Sequence, residues 1–200
     1  MRIYLASQSP RRRELLTQIG VAFDTIIFRS GARADPETDE TPQPGEAALD
    51  YVERVARAKA AHGARILGWR RLVPQPILSA DTTLEVDGDI IGKPFNEADA
   101  TAILKRLSGR EHRVLTAVAV THEERMECRV SVSHVRFRPL ADDEIRRYVM
   151  TGEPMDKAGA YGIQGRAAMF IEHAAGSYSG IMGLPLCETT LLLREFGLKV

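Results

Sequence analysis

The stretch Ile3-Tyr4-Leu5-Ala6-Ser7-Gln8-Ser9-Pro10-Arg11-Arg12-Arg13-Glu14-Leu15-Leu16 decides how the chain is read. It predicts a short buried strand, a tight polar loop and then a helix. Ser9 suits an N-cap, and Pro10 suits the first helical position, where its missing N–H costs nothing. Free N–H groups at a helix start attract anions. Three consecutive arginines in the first turn run against the helix dipole. Arginine also offers rigid, bidentate geometry for phosphate. The stretch therefore reads as an anion site, with a solvated basic turn as the structural alternative.

The chain has 200 residues, room for one domain in two lobes around a central crevice. Hydrophobic residues make up 44%, enough for a proper core. Formal net charge is zero, so no broad basic face for nucleic acid is expected. The two cysteines, Cys128 and Cys187, lack metal-type spacing, which suggests a reduced, cytoplasmic chain. The apolar start is too short for a signal peptide, and no apolar run is long enough to span a bilayer.

Working outward, residues 23–28 read as a strand and 29–45 as a long polar loop. A helix is expected over 46–61, with Leu49, Val52, Val55 and Ala56 as its apolar stripe. Residues 77–86 form a strand that turns at Asp87-Gly88 into Ile90-Ile91. Asn96 caps a helix over 97–107, and 113–121 with 126–137 make a long hairpin. A helix follows from Asp142 to about Met150, then a Gly-rich loop over 151–165 and a strand over 168–172. Residues 176–183 read as a second Gly/Ser loop, and Pro185 starts a last helix. This alternation argues an α/β fold: a mixed, twisted β-sheet flanked by helices.

Asp81 is the most conspicuous single residue. A carboxylate inside an apolar strand pattern is expensive to bury without a partner. It reads as a metal ligand or as a general base for water, the bland reading being a strand-end turn cap. Lys93, one hairpin later, is a lysine that could stand near it. By default Lys59 and Lys93 would be surface lysines, and Asp39-Glu40 solvated acids. The five histidines show no ligand spacing, and neither cysteine has a nucleophile's setting. Arginines at a helix start, lysines and one or two carboxylates suit metal-assisted attack of water on phosphorus.

Three long stretches, LASQSPRRRELL, SADTTLEVDGDIIGKP and EPMDKAGAYGIQGRAAMFIEHAAGSYSGIMGLPL, resemble the Maf family of nucleoside triphosphate pyrophosphatases. DETPQPGE, YVERVARAKA and LSGREHRVLTAVAV agree, so the resemblance covers residues 3–193. It implies a fold similar to the inosine triphosphate pyrophosphatases and release of pyrophosphate from a nucleoside triphosphate. It also implies a divalent cation, Mg²⁺ or Mn²⁺, and a homodimer. By resemblance, Ser7, Arg11, Arg12, Lys59 and Lys93 contact phosphate, and Asp81 is the catalytic carboxylate. Glu40 would hold the cation with Asp81, although residues 29–37 depart from the family pattern and leave Asp39 as the alternative. Arg13 is given no role.

Arg11, Thr82 and Gln164 match the positions linked to base choice and imply dTTP and UTP as substrates. The branch that takes 7-methyl-GTP carries Trp, Gln and Glu there. Two other readings are a pyrophosphatase for modified purine nucleotides and a nucleotide-sensing regulator of cell division. No nucleic-acid or membrane partner is expected.

Overall fold

A computed structural model describes residues 2–26 and 38–200. The end of the strand expected at 23–28 and the first part of the loop expected at 29–45 lie outside the described residues.

The opening unit forms as the sequence predicts: β1 (Ile3–Leu5), a loop, and α1 (Pro10–Gln18) with Pro10 in its first turn. Ser9 occupies the N-cap position, but its side chain caps nothing. Instead the Ser9 N–H donates to Ser7 Oγ at 3.2 Å. The other strands are β2 (Phe23–Thr25), β3 (Ile77–Val86), β4 (Asp89–Ile91), β5 (Glu111–His122), β6 (Arg125–Phe137) and β7 (Ile171–Ala175). The longer helices are α2 (Ala48–Trp69), α3 (Glu97–Leu107), α4 (Asp142–Val149) and α6 (Leu186–Glu195), with a short α5 (Tyr178–Met182) before the last. The described residues make one seven-stranded mixed sheet in the order β2-β1-β3-β5-β6-β7, with β4 also on β3.

Helix α2 runs two turns beyond its expected end at 61. Gly63 does not break it, because the helix needs a glycine where it crosses the sheet. A Cβ there would lie 3.1 Å from Ile77 Cγ2 and 3.2 Å from Ala6 Cβ. Past that contact, Ile66 and Leu67 bury against Ile77 and Ile26. Leu49, expected on the apolar stripe, is exposed, whereas Val52, Val55 and Ala56 pack on β5 as anticipated.

Both Gly-rich loops contain structure that the sequence reading did not anticipate. The stretch 151–165 holds two 3-10 turns, Glu153–Asp156 and Ala158–Ala160. Gly159 has φ +70° and sits on Leu84, where a Cβ would come 2.1 Å from Leu84 Cδ2. The stretch 176–183 holds α5, capped by Ser177 Oγ accepting from the Gly180 N–H at 3.0 Å. The strand expected at 168–172 begins later. Residues Arg166–Phe170 wind as a 3-10 turn because Ala167 and Phe170, three apart, both bury in one core. The strand after them, β7, is a mostly exposed edge with no apolar alternation to read.

Alternation along β3 sorts the core. Ser79, Asp81 and Thr83 face α2, and Ser79 Oγ donates to the Ala56 carbonyl at 2.7 Å. On the other face Leu78 and Ala80 join α1 and α6 in one core. Leu84 and Val86 join α3 and α4 in another. Thr82 and its β5 neighbour Thr116 lie between these two cores.

The edges of β3 matter as much as its faces. One edge pairs with β5 from Ile77 to Glu85. Along the other, β1 pairs with Ile77 and Leu78, and β4 with Leu84 to Val86. Among the described residues, 79–83 have no strand partner on that edge. Parallel and antiparallel neighbours part there, the kind of crevice in which α/β sheets bind ligands.

His112 is buried at the start of β5, edge-on to Phe137 and Tyr161, with Nε2 2.7 Å from the Tyr161 hydroxyl. Burial pushes its pKa down from 6.5 to about 4. The unfolded chain therefore binds a proton that the fold refuses, so stability is complete above pH 6.5 and falls as pH drops toward 4. Between pH 7.5 and 5 this ring should account for about 2 kcal/mol of lost stability. Urea unfolding of wild type and His112→Gln at both pH values measures it. An equal loss in the variant would remove His112 as the cause.

Candidate active site

Three elements build the first cluster. β3 carries Asp81, α2 carries Lys59, and the segment before α2 carries Glu40. Lys59 Nζ lies 2.7 Å from Asp81 Oδ1 and 2.9 Å from Glu40 Oε1. The Asp81 side chain is 9% exposed and that of Lys59 16%, so this ion pair is largely shielded from water. Glu40 is half exposed. One ammonium thus pairs with two converging carboxylates, and it gives the buried Asp81 the partner such a charge requires.

Residues 39–46 are strapped onto α2. The Tyr51 hydroxyl donates to the Glu40 carbonyl at 2.9 Å. Burial, with the charges of Asp81 and Glu40, pushes that hydroxyl up to about 12, so it stays a donor. Arg54 grips Glu46 with two bonds, at 2.6 and 2.9 Å, and reaches the Thr41 carbonyl at 3.0 Å. Hydrogen bonding to Arg54 pulls the Glu46 carboxyl down to about 2. Of the two acidic candidates left open by sequence, Glu40 shares Lys59 with Asp81. Asp39 turns away and accepts from the Thr41 N–H at 2.9 Å.

The second cluster centres on Arg12. Its Nε donates to the Gly183 carbonyl at 2.8 Å, Nη1 to Ser7 Oγ at 3.2 Å and Nη2 to Thr82 Oγ1 at 3.3 Å. One guanidinium therefore ties the loop after β1, strand β3 and the end of α5 together. Burial pulls its pKa down, opposed by the charge of Asp81. That coupling brings the two clusters into one electrostatic neighbourhood. Gly183 has φ +117°, and a Cβ there would face Thr82 Oγ1 at 3.6 Å and Arg12 Nε at 3.8 Å.

Arg11 leans the other way and meets Asp156, in the Gly-rich stretch, at 3.4 Å. Lys157 holds that stretch by donating to the Glu153 carbonyl at 2.6 Å and to Asp156 at 2.5 Å.

Of the residues singled out from sequence, Asp81, Lys59 and Glu40 come together, as do Ser7, Arg12 and Thr82. Lys93 and Gln164 are exposed and make no ion pair or hydrogen bond among the described residues. The lysine beside Asp81 is Lys59 rather than Lys93. The reason is register: α2 lies across the face of β3 that Asp81 shares, whereas β4 rejoins the strand only at Leu84. Sequence reasoning passed over Thr116, Tyr51, Asp156 and the carbonyls of Gly180 and Gly183. Thr116 carried a usable signal, a hydroxyl inside an apolar strand.

Cysteine chemistry plays no part in this arrangement. Cys128 and Cys187 are free, and burial pushes the Cys128 thiol up to about 11. Among the described residues no three His, Cys, Asp or Glu side chains converge as a metal cluster. The donor set is oxygen only: two carboxylates already meeting on one cationic group. That set fits a hard divalent cation, which takes one or two protein carboxylates and completes its shell with phosphate and water. No described helix is long and apolar enough to cross a membrane.

A Dechloromonas aromatica (strain RCB) protein named dTTP/UTP pyrophosphatase is 64% identical over 199 residues, covering 100% of this chain and 99% of that protein. A protein of the same name from Aromatoleum aromaticum is 65% identical over 197 residues, covering 98% and 96%. Another from Cupriavidus metallidurans is 55% identical over 196 residues, covering 98% and 97%. The solved Ham1 protein of Staphylococcus aureus overlaps 71% of this chain and 73% of its own, at a TM-score of 0.47 and 19% identity, too slight an overlap to add to the assignment. The family profile described as Maf-like protein matches residues 2–196, and this chain belongs to that family.

Proposed function

We propose that this chain hydrolyses dTTP and UTP to the monophosphate and pyrophosphate. The observation that carries this reading is the nearly buried Asp81, held by Lys59 beside Glu40 at the gap in the sheet edge. The names of the similar proteins supply the substrates.

In this reading Ser7, the N–H groups at the start of α1, and Arg11 and Arg12 hold the triphosphate. Water attacks, the bond between the α- and β-phosphoryl groups breaks, and pyrophosphate departs. Asp81 takes the proton of the attacking water. Lys59 fixes Oδ1 of Asp81 and keeps the carboxylate aimed. Lys93, exposed and without an ion pair among the described residues, meets charge on the leaving pyrophosphate. Asp81 and Glu40 would hold Mg²⁺ or Mn²⁺. When bound, such a cation neutralises phosphate charge and acidifies water. Gln164 reads the base, because an amide both donates and accepts and so matches the uracil or thymine edge.

Three results test this reading. Asp81→Asn should lower turnover of UTP about 10²- to 10⁴-fold with a near-wild-type melting curve. Near-normal pyrophosphate release by that variant would remove Asp81 from catalysis. EDTA should abolish pyrophosphate release, and Mg²⁺ or Mn²⁺ should restore it; full activity in metal-free buffer would contradict the cation. On a panel of nucleotides, wild type should prefer UTP and dTTP to 7-methyl-GTP, and Gln164→Glu should erode that preference. A wild type that favours 7-methyl-GTP would overturn the substrate. An unchanged preference in the variant would make Gln164 structural.

A further inference from the structure

The geometry points to Thr116 as a positioning residue for the phosphate-binding arginine, acting through Thr82. This inference rests on the proposed function only for what Arg12 holds.

Thr116 is fully buried on β5, directly across from Thr82. Its Oγ1 lies 2.7 Å from the Gly180 carbonyl oxygen and 3.0 Å from Thr82 Oγ1. A carbonyl can only accept, so the single hydroxyl proton of Thr116 is committed to Gly180. The Thr82 hydroxyl must then donate to Thr116. Its lone pairs stay free to accept, and one takes the Arg12 Nη2–H at 3.3 Å. The chain of donors runs one way, from Arg12 to Thr82 to Thr116 to Gly180.

Two consequences follow. Thr82 has spent its only donor inside the protein, so it serves any ligand by how it holds Arg12 rather than by donating to a base. Both ends of the chain also reach the same element. Gly180 lies within α5, and Gly183, just after it, accepts from Arg12 Nε at 2.8 Å. The turn bearing α5 is therefore docked at two carbonyls, one through Thr116 and one through Arg12. Burial is what makes the direction matter. Thr116 is fully buried, so a misdirected hydroxyl there has no solvent to turn to, and its neighbour loses an acceptor.

Thr116→Val keeps the shape and removes the hydroxyl; Thr116→Ser keeps the hydroxyl and removes the methyl. On UTP, Thr116→Val should lose about 10- to 100-fold in kcat/KM, the scale of a small misplacement of a binding group. Thr116→Ser should stay within about 3-fold of wild type, whatever its melting temperature. In an Arg12→Gln background, Thr116→Val should add little, because its effect passes through Arg12. Equal losses for Val and Ser, or a full multiplicative loss in the double variant, would overturn the relay. If wild type releases no pyrophosphate from any nucleotide, the functional reading fails on its own. The relay is then read by calorimetry with inorganic tripolyphosphate. Binding weaker in Thr116→Val than in wild type and Thr116→Ser would support it, and no difference would overturn it.

Discussion

A carboxylate in the middle of an apolar strand must be neutralised, and much of this site follows from that requirement. Asp81 is nearly buried, and Lys59 reaches it at 2.7 Å from the helix packed on the same face. For Lys59 to arrive there, α2 must cross β3 closely, and Gly63 permits that crossing by having no Cβ. The same ammonium also meets a second acid, Glu40, at 2.9 Å, so one cation faces two anions. Glu40 in turn stands where it does because Tyr51 and Arg54 strap its segment to α2. Burial of one charge thus propagates into the placement of a helix and a loop.

Arg12 imposes the matching constraint on the other face. It is half-buried and surrounded by acceptors from three separate parts of the chain. The two apolar cores on that face leave a polar seam between them, occupied by Thr82 and Thr116. A seam of this kind costs stability unless every hydroxyl is paired, and here the pairing ends on a backbone carbonyl. Thr82 of this seam lies in the stretch of β3 that has no strand partner on one edge among the described residues.

Local signals made the strand, loop and helix at the start legible, and also β3 with its turn and the helix after Asn96. Proline at a first helical position, Asp-Gly at a hairpin and an N-cap asparagine each act within a few residues of themselves. Asp81 was legible for the opposite reason, because it violates its local pattern. Lys59 was not: on a helix face it looks like any solvated lysine until the sheet is brought against it. Thr116 shows the same limit. Its hydroxyl was visible in an apolar run, but its partners stand 34 and 64 residues away.

By itself, the sequence determined the class of fold and the family. Those rest on short-range geometry and on long motifs kept in order. Only the tertiary structure decided that Glu40 rather than Asp39 shares Lys59 with Asp81, and that Lys59 rather than Lys93 is the partner. It alone set the direction of the hydrogen bonds from Arg12 to Gly180. The physical reason is that a charge or a hydroxyl has no preferred partner in an extended chain. Burial removes water as the alternative, and the surviving partner is whichever group the packing of helix on sheet has brought within 3 Å.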